Sequence, residues 1–222
     1  MPRYPEHLAA EKDDRMTKII LVRHGHVEGI SPERYRGRVD LTLTAEGRRQ
    51  AAVTADRIHA TWRPAAVFAS PLSRCRATAE AIATPLGLSP RPLDGLIDID
   101  YGQWQGLTPD EVRARWPGLL ETWYRAPDWA AIPGGETLQD VLVRALSALR
   151  DVVDRHPSDT VVLVAHDSVN RVILLHALGL PLSRYWRLGQ HPCAINEIDL
   201  LGDGSVVLSM NETGHLKQAA SP

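Results

Sequence analysis

Three short apolar segments of this chain each end in a cationic or imidazole side chain, and this repetition limits the folds that the chain can adopt. The segments are residues 19–22, 66–69 and 161–165, and the polar residues that follow them are Arg23 and His24, Arg74, and His166 respectively. Short apolar runs bounded by turn residues are typical of strands buried in a parallel sheet. The carboxyl ends of such strands meet at one edge, where ligands of open α/β sheets bind, so these four side chains should face one small volume. Two arginines and two histidines in one volume predict a pocket for a phosphate group.

Helical and strand patterns alternate along the rest of the chain. The predicted helices run from a Thr44 cap to near Pro64, from about Leu72 to Leu86, from Glu136 or Thr137 to Pro157, and over Val169–Leu178. Two further strands are predicted around Ala194–Leu201 and Ser205–Met210, joined by a Gly-Asp-Gly turn. This alternation predicts an α/β fold, a three-layer α/β/α sandwich with a mostly parallel central sheet that could carry an antiparallel edge.

The chain is long enough for one large domain, since it has 222 residues of which 44% are hydrophobic. We predict a flexible N-terminal leader over residues 1–16, because this stretch is polar and shows no periodicity, and a single domain over residues 17–218. An insertion around residues 95–133, with a short helix at Pro109–Trp116 and most of the tryptophans, is expected to cover the pocket. Its later part, from Asp110 to Pro133, is predicted to form a lid that selects the leaving group.

Charge and cysteine usage exclude several classes of partner. A formal net charge of -2 provides no basic surface for nucleic acid or anionic lipid, so positive potential should be local and suited to a small anion. No apolar stretch is long enough to span a membrane and the N-terminus has no secretory apolar core, which predicts a cytoplasmic protein. Cys75 and Cys193 lie far apart without metal-ligand spacing and are predicted to be free thiols. The apolar strands near the C-terminus could pair across a homodimer, although no feature requires it.

The polar residues at the predicted sheet edge suit nucleophilic attack on a phosphate monoester without a metal or an organic cofactor. A neutral imidazole can attack phosphorus when its other nitrogen is held by a hydrogen bond, and His24 is placed for this role. Arg23 and Arg74 offer planar, permanently charged groups for the phosphoryl oxygens, and His166 could stabilise the charge that develops on them. A carboxyl group is also needed, to protonate the leaving alkoxide and then to deprotonate the hydrolytic water.

Four ordered sequence blocks resemble the histidine phosphatase superfamily, which contains the cofactor-dependent phosphoglycerate mutases and many small-molecule phosphatases. The blocks are Arg23-His24-Gly25, the segment from Tyr35 to Asp40 with Leu43, Thr44 and Gly47, the segment from Ser70 to Glu80, and Val164-Ala165-His166-Asp167. The likeness extends from about Lys18 to Leu216. A single Arg-His-Gly tripeptide would recur by chance, whereas four blocks in order, each at the end of a predicted strand or the start of a predicted helix, are specific.

The resemblance implies a phosphoglycerate mutase-like fold and roles for individual residues. His24 lies where the family's phosphorylated histidine stands, and His166 matches the second catalytic histidine. Arg74 matches an arginine that binds phosphate, and Arg36 and Gly37 would contact phosphate or substrate. The implied activity is that of a metal-independent phosphomonoesterase, which hydrolyses small phosphorylated metabolites through a phosphohistidine intermediate.

Several positions depart from the family pattern. The family's acid is usually a glutamate before an aromatic-Gly-x-Trp-Glu-Gly run, whereas this chain has Asp98 there, so Asp98 is the predicted proton donor and Asp100 a competitor. Because the aspartate side chain is one methylene shorter, either its loop lies closer to the phosphate or proton transfer is less efficient. Ile30 replaces an asparagine of the family, which removes a polar contact, and Asp167 replaces a frequent glycine, which places a side chain close to the phosphate.

Three alternatives remain open from the sequence. A phosphoglycerate mutase would share every catalytic residue, although residues 99–101, Ile-Asp-Tyr, stand where mutases of the family carry an Arg-His-Tyr run. A non-catalytic module that binds a phosphorylated ligand would also retain the basic residues. A zinc site on His24, His166 and Asp98 is disfavoured because the neighbouring arginines repel a cation. The natural substrate is open as well, since sugar phosphates, nucleotide-like phosphates and phosphorylated amino acids are all compatible.

Overall fold

A mixed sheet forms the centre of the molecule. The computed structural model describes residues 16–30, 32–202 and 204–218, and six strands pair within them. The strands are β1 (Met16–Arg23), β2 (Ala66–Ala69), β3 (Arg91–Pro92), β4 (Thr160–Ala165), β5 (Ile195–Leu201) and β6 (Gly204–Glu212). Their spatial order is β3-β2-β4-β1-β5-β6, in which the first four are parallel and β5 and β6 are antiparallel to their neighbours. The predicted mostly parallel sheet is therefore confirmed, with its antiparallel edge at β5 and β6.

Helices cover both faces of this sheet. They are α1 (Ala45–Thr61), α2 (Ser73–Ala83), α3 (Pro109–Arg115), α4 (Pro117–Arg125), α5 (Leu138–Arg155), α6 (Asp167–Ala177) and α7 (Gly214–Gln218). Alternate residues of β1 enter separate apolar cores, because Ile20 and Val22 pack with residues of α1 and α2, whereas Ile19 and Leu21 pack with residues of α5 and α6. A strand covered on both sides needs apolar side chains at every position, which explains the unbroken apolar runs. The three-layer α/β/α sandwich is thus confirmed.

Two of the long helices start at the capping residues that the sequence predicts. The Thr44 side chain accepts a hydrogen bond from a backbone N–H in the first turn of α1. Before α5, Thr137 and Asp140 form a reciprocal capping box, and the helix ends shortly before Pro157. These side chains pair with backbone amides that would otherwise have no partner in the first turn.

Some boundaries differ from the predicted ones because strand pairing and local capping override the apolar pattern. β1 begins at Met16, before the apolar run, because its backbone pairs with β5 from that residue onward. α6 begins at Asp167, directly after His166, rather than at Val169. β3 is two residues long and carries no apolar pattern that could predict it. Apart from Met16, the predicted leader over residues 1–16 lies outside the described residues.

The segment predicted as an insertion is a packed layer of short helices. It contains α3, which confirms the predicted helix at Pro109–Trp116, and α4, which is too short for its periodicity to predict it. The other elements in this segment are 3₁₀ turns at residues 94–96, 102–104 and 127–129. Trp104 and Trp123 are fully buried and pack edge to face, with ring centroids 6.4 Å apart. These tryptophans therefore belong to the core and not to a surface that meets a ligand.

The structure also describes the two cysteines and the length and apolar character of its helices. Cys75 on α2 and Cys193 before β5 are both free and buried, which confirms the prediction of two free thiols. Burial raises the pKa of the Cys75 thiol well above its usual range and that of Cys193 to about 12, so both thiols stay protonated. Among the described residues, none of the helices is long and apolar enough to cross a lipid bilayer.

Candidate active site

The three predicted strand ends meet at one edge of the sheet. β1 and β4 pair as far as Arg23 and Ala165, and the His24 N–H continues the ladder by donating to the Ala165 carbonyl at 3.0 Å. After β2, the Ser70 N–H donates to the Val164 carbonyl of β4, also at 3.0 Å. The parallel register therefore brings the residues that follow β1, β2 and β4 to one place.

His24 has the position and the tautomer that an attacking imidazole requires. It is 1% exposed, and its Nδ1 lies 2.7 Å from the carbonyl oxygen of Gly25. A carbonyl can only accept, so Nδ1 carries the hydrogen and the lone pair lies on Nε2. Burial, with the charges of His166, Arg74 and Arg23, lowers the pKa of His24 well below its usual value. His24 is therefore a neutral imidazole with a free lone pair at neutral pH.

The backbone after His24 passes very close to the start of α1. A Cβ atom at Gly25 would lie 2.5 Å from the carbonyl oxygen of Gly47, a distance at which one of the two backbones would have to move. A Cβ atom at Gly47 would in turn clash with the His26 backbone. The two glycines allow this close approach, which positions the carbonyl that orients the His24 ring.

The second histidine faces the first across the site. The rings of His24 and His166 lie 5.2 Å apart between centroids, with an interplanar angle of 61°. His166 Nε2 lies 2.8 Å from the Ser70 hydroxyl, and its Nδ1 accepts a hydrogen bond from the Arg74 Nε at 3.3 Å. Burial and the charges of Arg74 and Arg23 lower the pKa of His166 well below its usual value. Two neutral imidazoles thus face each other among arginines.

Arg74 is fully buried in the first turn of α2, where cations are normally disfavoured. Its Nη1 donates to the carbonyl of Val39 at 2.8 Å, and its Nη2 donates to the carbonyl of Gly37 at 2.7 Å. Nη2 also donates to the Asp98 Oδ2 at 3.1 Å. These hydrogen bonds hold the guanidinium in one orientation, so a fixed positive charge borders the two histidines.

Arg23 has a donor group that lacks a partner. Its Nη1 donates to the carbonyl of Gln190 and lies 3.9 Å from the Asp167 Oδ1. Its Nε is buried, and no described residue accepts a hydrogen bond from it. Gln190 is itself anchored, since its Nε2 donates to the Asn196 side chain at 2.8 Å. A buried donor without a partner costs about 1–3 kcal/mol, so the arrangement favours an anion beside Arg23.

Asp98 reaches His166 despite its shorter side chain. Its Oδ1 accepts hydrogen bonds from the Ser168 hydroxyl at 2.5 Å and from the Ile99 N–H at 3.0 Å. Its Oδ2, which also accepts from Arg74, lies 3.6 Å from the His166 Nδ1. These contacts hold the Asp98 carboxylate beside Arg74 and His166.

Asp100, the other candidate for the proton donor, binds the local backbone. Its Oδ1 accepts a hydrogen bond from the Gly102 N–H at 2.8 Å, and its Oδ2 lies 3.4 Å from the Arg38 Nη1. Asp100 does not line the cleft described below, whereas Asp98 does. Of the two aspartates, Asp98 is therefore the one in contact with the other candidate residues.

Arg36 and Gly37 also border the site. Arg36 donates to the Gly29 carbonyl, and burial together with repulsion from Arg23 lowers the pKa of Arg36. Gly37 has a left-handed φ of 47°, and a Cβ there would lie 2.9 Å from the Ile99 carbonyl oxygen. The described contact of Gly37 is with Arg74, through its carbonyl, so this glycine positions a cation of the site.

A cleft of about 220 Å³ is lined by Arg23, Arg36, Gly37, Asp98 and Ser168 of this site. The other residues that line it, which we call the rim, are Ile30, Glu33, Arg34, Tyr35, Tyr101, Asp167, Arg171, Trp186 and Gln190. Asp167 and Arg171 form an ion pair at 3.1 Å, and the Arg171 guanidinium lies 5.0 Å from the centroid of the Trp186 ring. A fixed pair of opposite charges therefore lines the cleft.

The predicted lid is not part of this wall. Within the insertion around residues 95–133, Asp98 and Tyr101 line the cleft, and residues 110–133 do not. Trp123 is buried in the core, and the hydroxyl of Tyr124 lies 3.2 Å from that of Tyr35, which lines the cleft. Leu120 and Trp123 of α4 are buried, so this helix packs against the core. Residues 110–133 thus lie outside the wall of the cleft in this structure, and a role of this segment in selecting the leaving group stays a prediction.

Several residues of the site carry no motif that identifies them in the sequence. Ser168 and Arg171 belong to no sequence block, unlike Asp167, and lie with it on the first turns of α6, where polar side chains on a largely apolar helix are a usable signal. Trp186 and Gln190 come from the segment before β5 and have no comparable signal. Sequence patterns thus identify the residues at the strand ends but not Ser168, Arg171, Trp186 or Gln190.

The zinc alternative has no structural counterpart. Within the described ranges, no group of three or more His, Cys, Asp or Glu side chains is arranged to hold a metal ion. Arg74 contacts both His166 and Asp98, which places a positive charge where a cation would have to bind. The arrangement suits an anion with several negative oxygens, next to a neutral imidazole and a carboxyl group.

We expect the free energy of unfolding to fall as the pH drops below about 6.5, because two histidines are buried in their neutral form. The folded-state pKa values of His24 and His166 lie below the unfolded value, so the unfolded chain binds more protons between the two values. This stabilisation is complete above the unfolded pKa and is lost on acidification, by up to about 1.4 kcal/mol per pH unit for each histidine. Urea unfolding at several pH values measures the slope.

A His166→Asn variant provides the comparison for this measurement, since it should show a smaller loss over the same pH range. His215, whose pKa is also lowered by burial, adds a contribution of the same sign in both proteins. An equal slope in the variant and the wild type would contradict the assignment to the site histidines.

Comparison with known proteins gives matches that extend over most of this chain. A family model, that of the histidine phosphatase superfamily (branch 1), matches residues 19–213. Phosphoserine phosphatase 1 of Hydrogenobacter thermophilus is 33% identical over 201 residues, which cover 90% of this chain and 95% of that protein. The metal-independent phosphoserine phosphatase of Arabidopsis thaliana is 30% identical over 166 residues, which cover 73% and 69% of the two chains. Among solved structures, Bacillus stearothermophilus YhfR has a TM-score of 0.86 at 29% identity, and the match covers 90% of this chain and 99% of that one.

Proposed function

The chain belongs to the histidine phosphatase superfamily (branch 1), and we propose that it hydrolyses small phosphate monoesters through a phosphohistidine on His24. The observation that carries this proposal is the pair of buried, neutral imidazoles, His24 and His166, whose ring centroids lie 5.2 Å apart. Arg23 and Arg74 supply the positive charge that a phosphoryl group requires, and Asp98 supplies a carboxyl group. The site therefore contains a nucleophile, anion-binding groups and an acid.

In the first step the lone pair on His24 Nε2 attacks phosphorus. A nitrogen–phosphorus bond forms, and the bond from phosphorus to the substrate oxygen breaks. Arg23 and Arg74 donate hydrogen bonds to the phosphoryl oxygens, which carry most of the charge in the transition state. The bound phosphoryl group competes with Asp98 for Arg74, whose Nη2 donates to that carboxyl group. The Asp98 carboxyl group is the acid that gives a proton to the departing alkoxide and becomes a carboxylate.

In the second step water takes the place of the leaving group. The ionised Asp98 accepts a proton from this water as its oxygen attacks phosphorus. The nitrogen–phosphorus bond breaks, its electron pair returns to His24 Nε2, and inorganic phosphate leaves. Because the arginines neutralise the phosphoryl charge, neither step requires a metal ion. A relative that bears the name metal-independent phosphoserine phosphatase supports this part of the proposal.

The rim of the cleft favours a leaving group that carries both a positive and a negative charge. Arg171 and Arg34 can bind a carboxylate, and Asp167 and Glu33 can bind an ammonium group. O-phosphorylated amino acids have both groups next to the ester oxygen. Two relatives named as phosphoserine phosphatases agree with this substrate class. We therefore propose O-phosphoserine, or a close analogue, as the substrate.

A set of four esters tests the substrate class, with phosphate release measured in excess chelator. O-phosphoserine carries both charged groups, 3-phosphoglycerate only the carboxylate, phosphoethanolamine only the ammonium group, and glucose 6-phosphate neither. We expect chelator-resistant turnover, with kcat/KM for O-phosphoserine about tenfold or more above the other three, since each charge-assisted hydrogen bond contributes about 1.5–3 kcal/mol. Equal kcat/KM values for all four would contradict the substrate assignment while leaving the phosphatase activity in place.

Arg171→Ala separates recognition of the leaving group from the chemistry. We expect KM to rise about tenfold for O-phosphoserine, because one charge-assisted hydrogen bond to its carboxylate is lost. The kcat/KM for phosphoethanolamine, which has no carboxylate, should stay within about twofold. Arg115→Ala, an exposed arginine outside the cleft, provides the control for a loss of positive charge. An equal change for both esters would show that Arg171 does not recognise the carboxylate.

The same assays test the two alternatives that share these residues. A mutase would isomerise 3-phosphoglycerate faster than it releases phosphate, because water would be excluded from the phosphohistidine. Ile99 is buried and Asp100 is turned to the backbone, so neither provides the cation that mutases of the family carry at these positions. A binding module would release no phosphate from any ester.

A further inference from the structure

A second cleft, of about 410 Å³, lies beside the active-site cleft and shares Trp186 with it. Its walls come from the end of α4 and from the 3₁₀ helix Leu182–Arg187. The residues that line it are Tyr124, Arg125, Ser183, Arg184, Trp186 and Arg187. Three arginines and no acidic residue line this cleft, which we call the arginine cleft.

The charges of the arginine cleft are only partly compensated. Arg125 is paired with Glu121 at 2.9 Å and also lies in the last turn of α4, where a cation is favoured by the helix dipole. Arg184 and Arg187 have no such pairing, since neither forms an ion pair within the described part of the chain. Guanidinium groups that share a cavity repel one another, and the chain as a whole has a formal net charge of -2. This local concentration of positive charge favours a bound anion.

A rigid aromatic wall stands next to these arginines. The rings of Tyr124 and Trp186 lie 5.4 Å apart between centroids. The Trp186 Nε1 donates to the Trp123 carbonyl at 2.6 Å, and the Tyr124 hydroxyl is hydrogen-bonded to that of Tyr35 at 3.2 Å. Their planes are 42° apart, so one planar ligand ring can lie parallel to only one of them. Tyr124 is 41% exposed and its hydroxyl is held, so a ligand ring could stack on it at little cost in side-chain entropy.

We propose that the arginine cleft binds a small phosphorylated molecule with a planar ring, of the nucleotide class. Arg184 and Arg187 would bind the phosphoryl oxygens, and Tyr124 would stack on the ring with Trp186 beside it. A volume of about 410 Å³ is in the range of small-molecule sites and is sufficient for one nucleotide. This site is separate from the phosphohistidine chemistry and does not depend on it.

Calorimetric titration of the full chain with ADP tests this proposal. We expect the wild type to bind ADP, and the Arg184→Glu/Arg187→Glu variant to bind it at least about tenfold more weakly, because two phosphate contacts become repulsive. The control is Arg150→Glu/Arg155→Glu, which makes the same change in charge on α5, near the start of β4 and thus at the opposite edge of the sheet. This control should bind ADP like the wild type.

The outcomes separate this site from the active site. Both double variants should keep the wild-type rate of phosphate release from a monoester, which shows that they are folded and that the proposed catalysis is unaffected. Unchanged ADP affinity in Arg184→Glu/Arg187→Glu would overturn the proposal, since ADP would then be held by other arginines. Absence of ADP binding to the wild type would also overturn it. Adenosine or pyrophosphate bound as tightly as ADP would overturn the combined recognition of ring and phosphate.

Discussion

Replacing His24 by alanine is expected to lower kcat by about 10⁴-fold or more for every phosphate monoester, because the variant has no group that can attack phosphorus. The arginines that bind the phosphoryl group remain, so KM should change much less than kcat. Chemical quenching of the wild type during turnover of a radiolabelled ester should trap an acid-labile phosphoprotein. The variant should yield none.

His26→Ala is the matched control for this experiment. His26 lies two residues further along the same loop, and its Nδ1 is hydrogen-bonded to the Thr44 hydroxyl at 3.0 Å, outside the cleft. This variant should therefore retain most of the activity. A His24→Ala variant with a rate within about tenfold of the wild type would mean that another residue is the nucleophile.

Replacing Asp98 by asparagine should give a loss that depends on the leaving group. An alkoxide such as that of serine needs a proton to depart, so kcat for O-phosphoserine should fall about 10²–10⁴-fold. The 4-nitrophenolate ion departs without a proton, so the first step with 4-nitrophenyl phosphate should be affected far less. Pre-steady-state release of nitrophenolate isolates that step from hydrolysis of the phosphohistidine.

Asp100→Asn distinguishes the two candidate carboxylates. Asp100 holds the turn at Gly102 and does not line the cleft, so its loss should affect both esters equally and weakly. An equal fall for both esters in Asp98→Asn would instead assign Asp98 a positioning role through Arg74, whose Nη2 donates to it at 3.1 Å. A selective loss for O-phosphoserine in Asp100→Asn would move the proton-donor role to that residue.

Much of the fold follows from patterns that are local in the sequence. The apolar runs that become β1, β2 and β4 predict strands buried on both sides, and the helices that follow complete the three layers. Thr44 and Thr137 predict the starts of α1 and α5, because a capping side chain acts within one turn of the helix. α4 and β3 are too short for a reliable period, and they depend on the surfaces against which they pack.

The candidate site also contains some residues that local patterns predict and others that they do not. His24, Arg74 and His166 follow strands, so the rule that parallel strands end at one edge is sufficient to bring them together. The rim does not follow from such a rule. Arg171 and Trp186 meet because α6 and the segment before β5 pack against each other, and the two residues belong to no common motif. The insertion that was expected to form a lid places Trp104 and Trp123 in the core, whereas its Trp129 is 81% exposed.

The amino-acid sequence alone was sufficient to predict five of the six described strands, the three layers, the residues at the strand ends and the family to which the chain belongs. These features depend on periodicity, capping and short motifs, which act over a few residues. The tautomer of His24, the choice of Asp98 over Asp100 and the composition of the rim required the packed molecule. Each depends on contacts between distant parts of the chain, such as the hydrogen bond between Ser168 and Asp98, which are 70 residues apart. Such contacts are set by how the layers pack, and no local pattern encodes that packing.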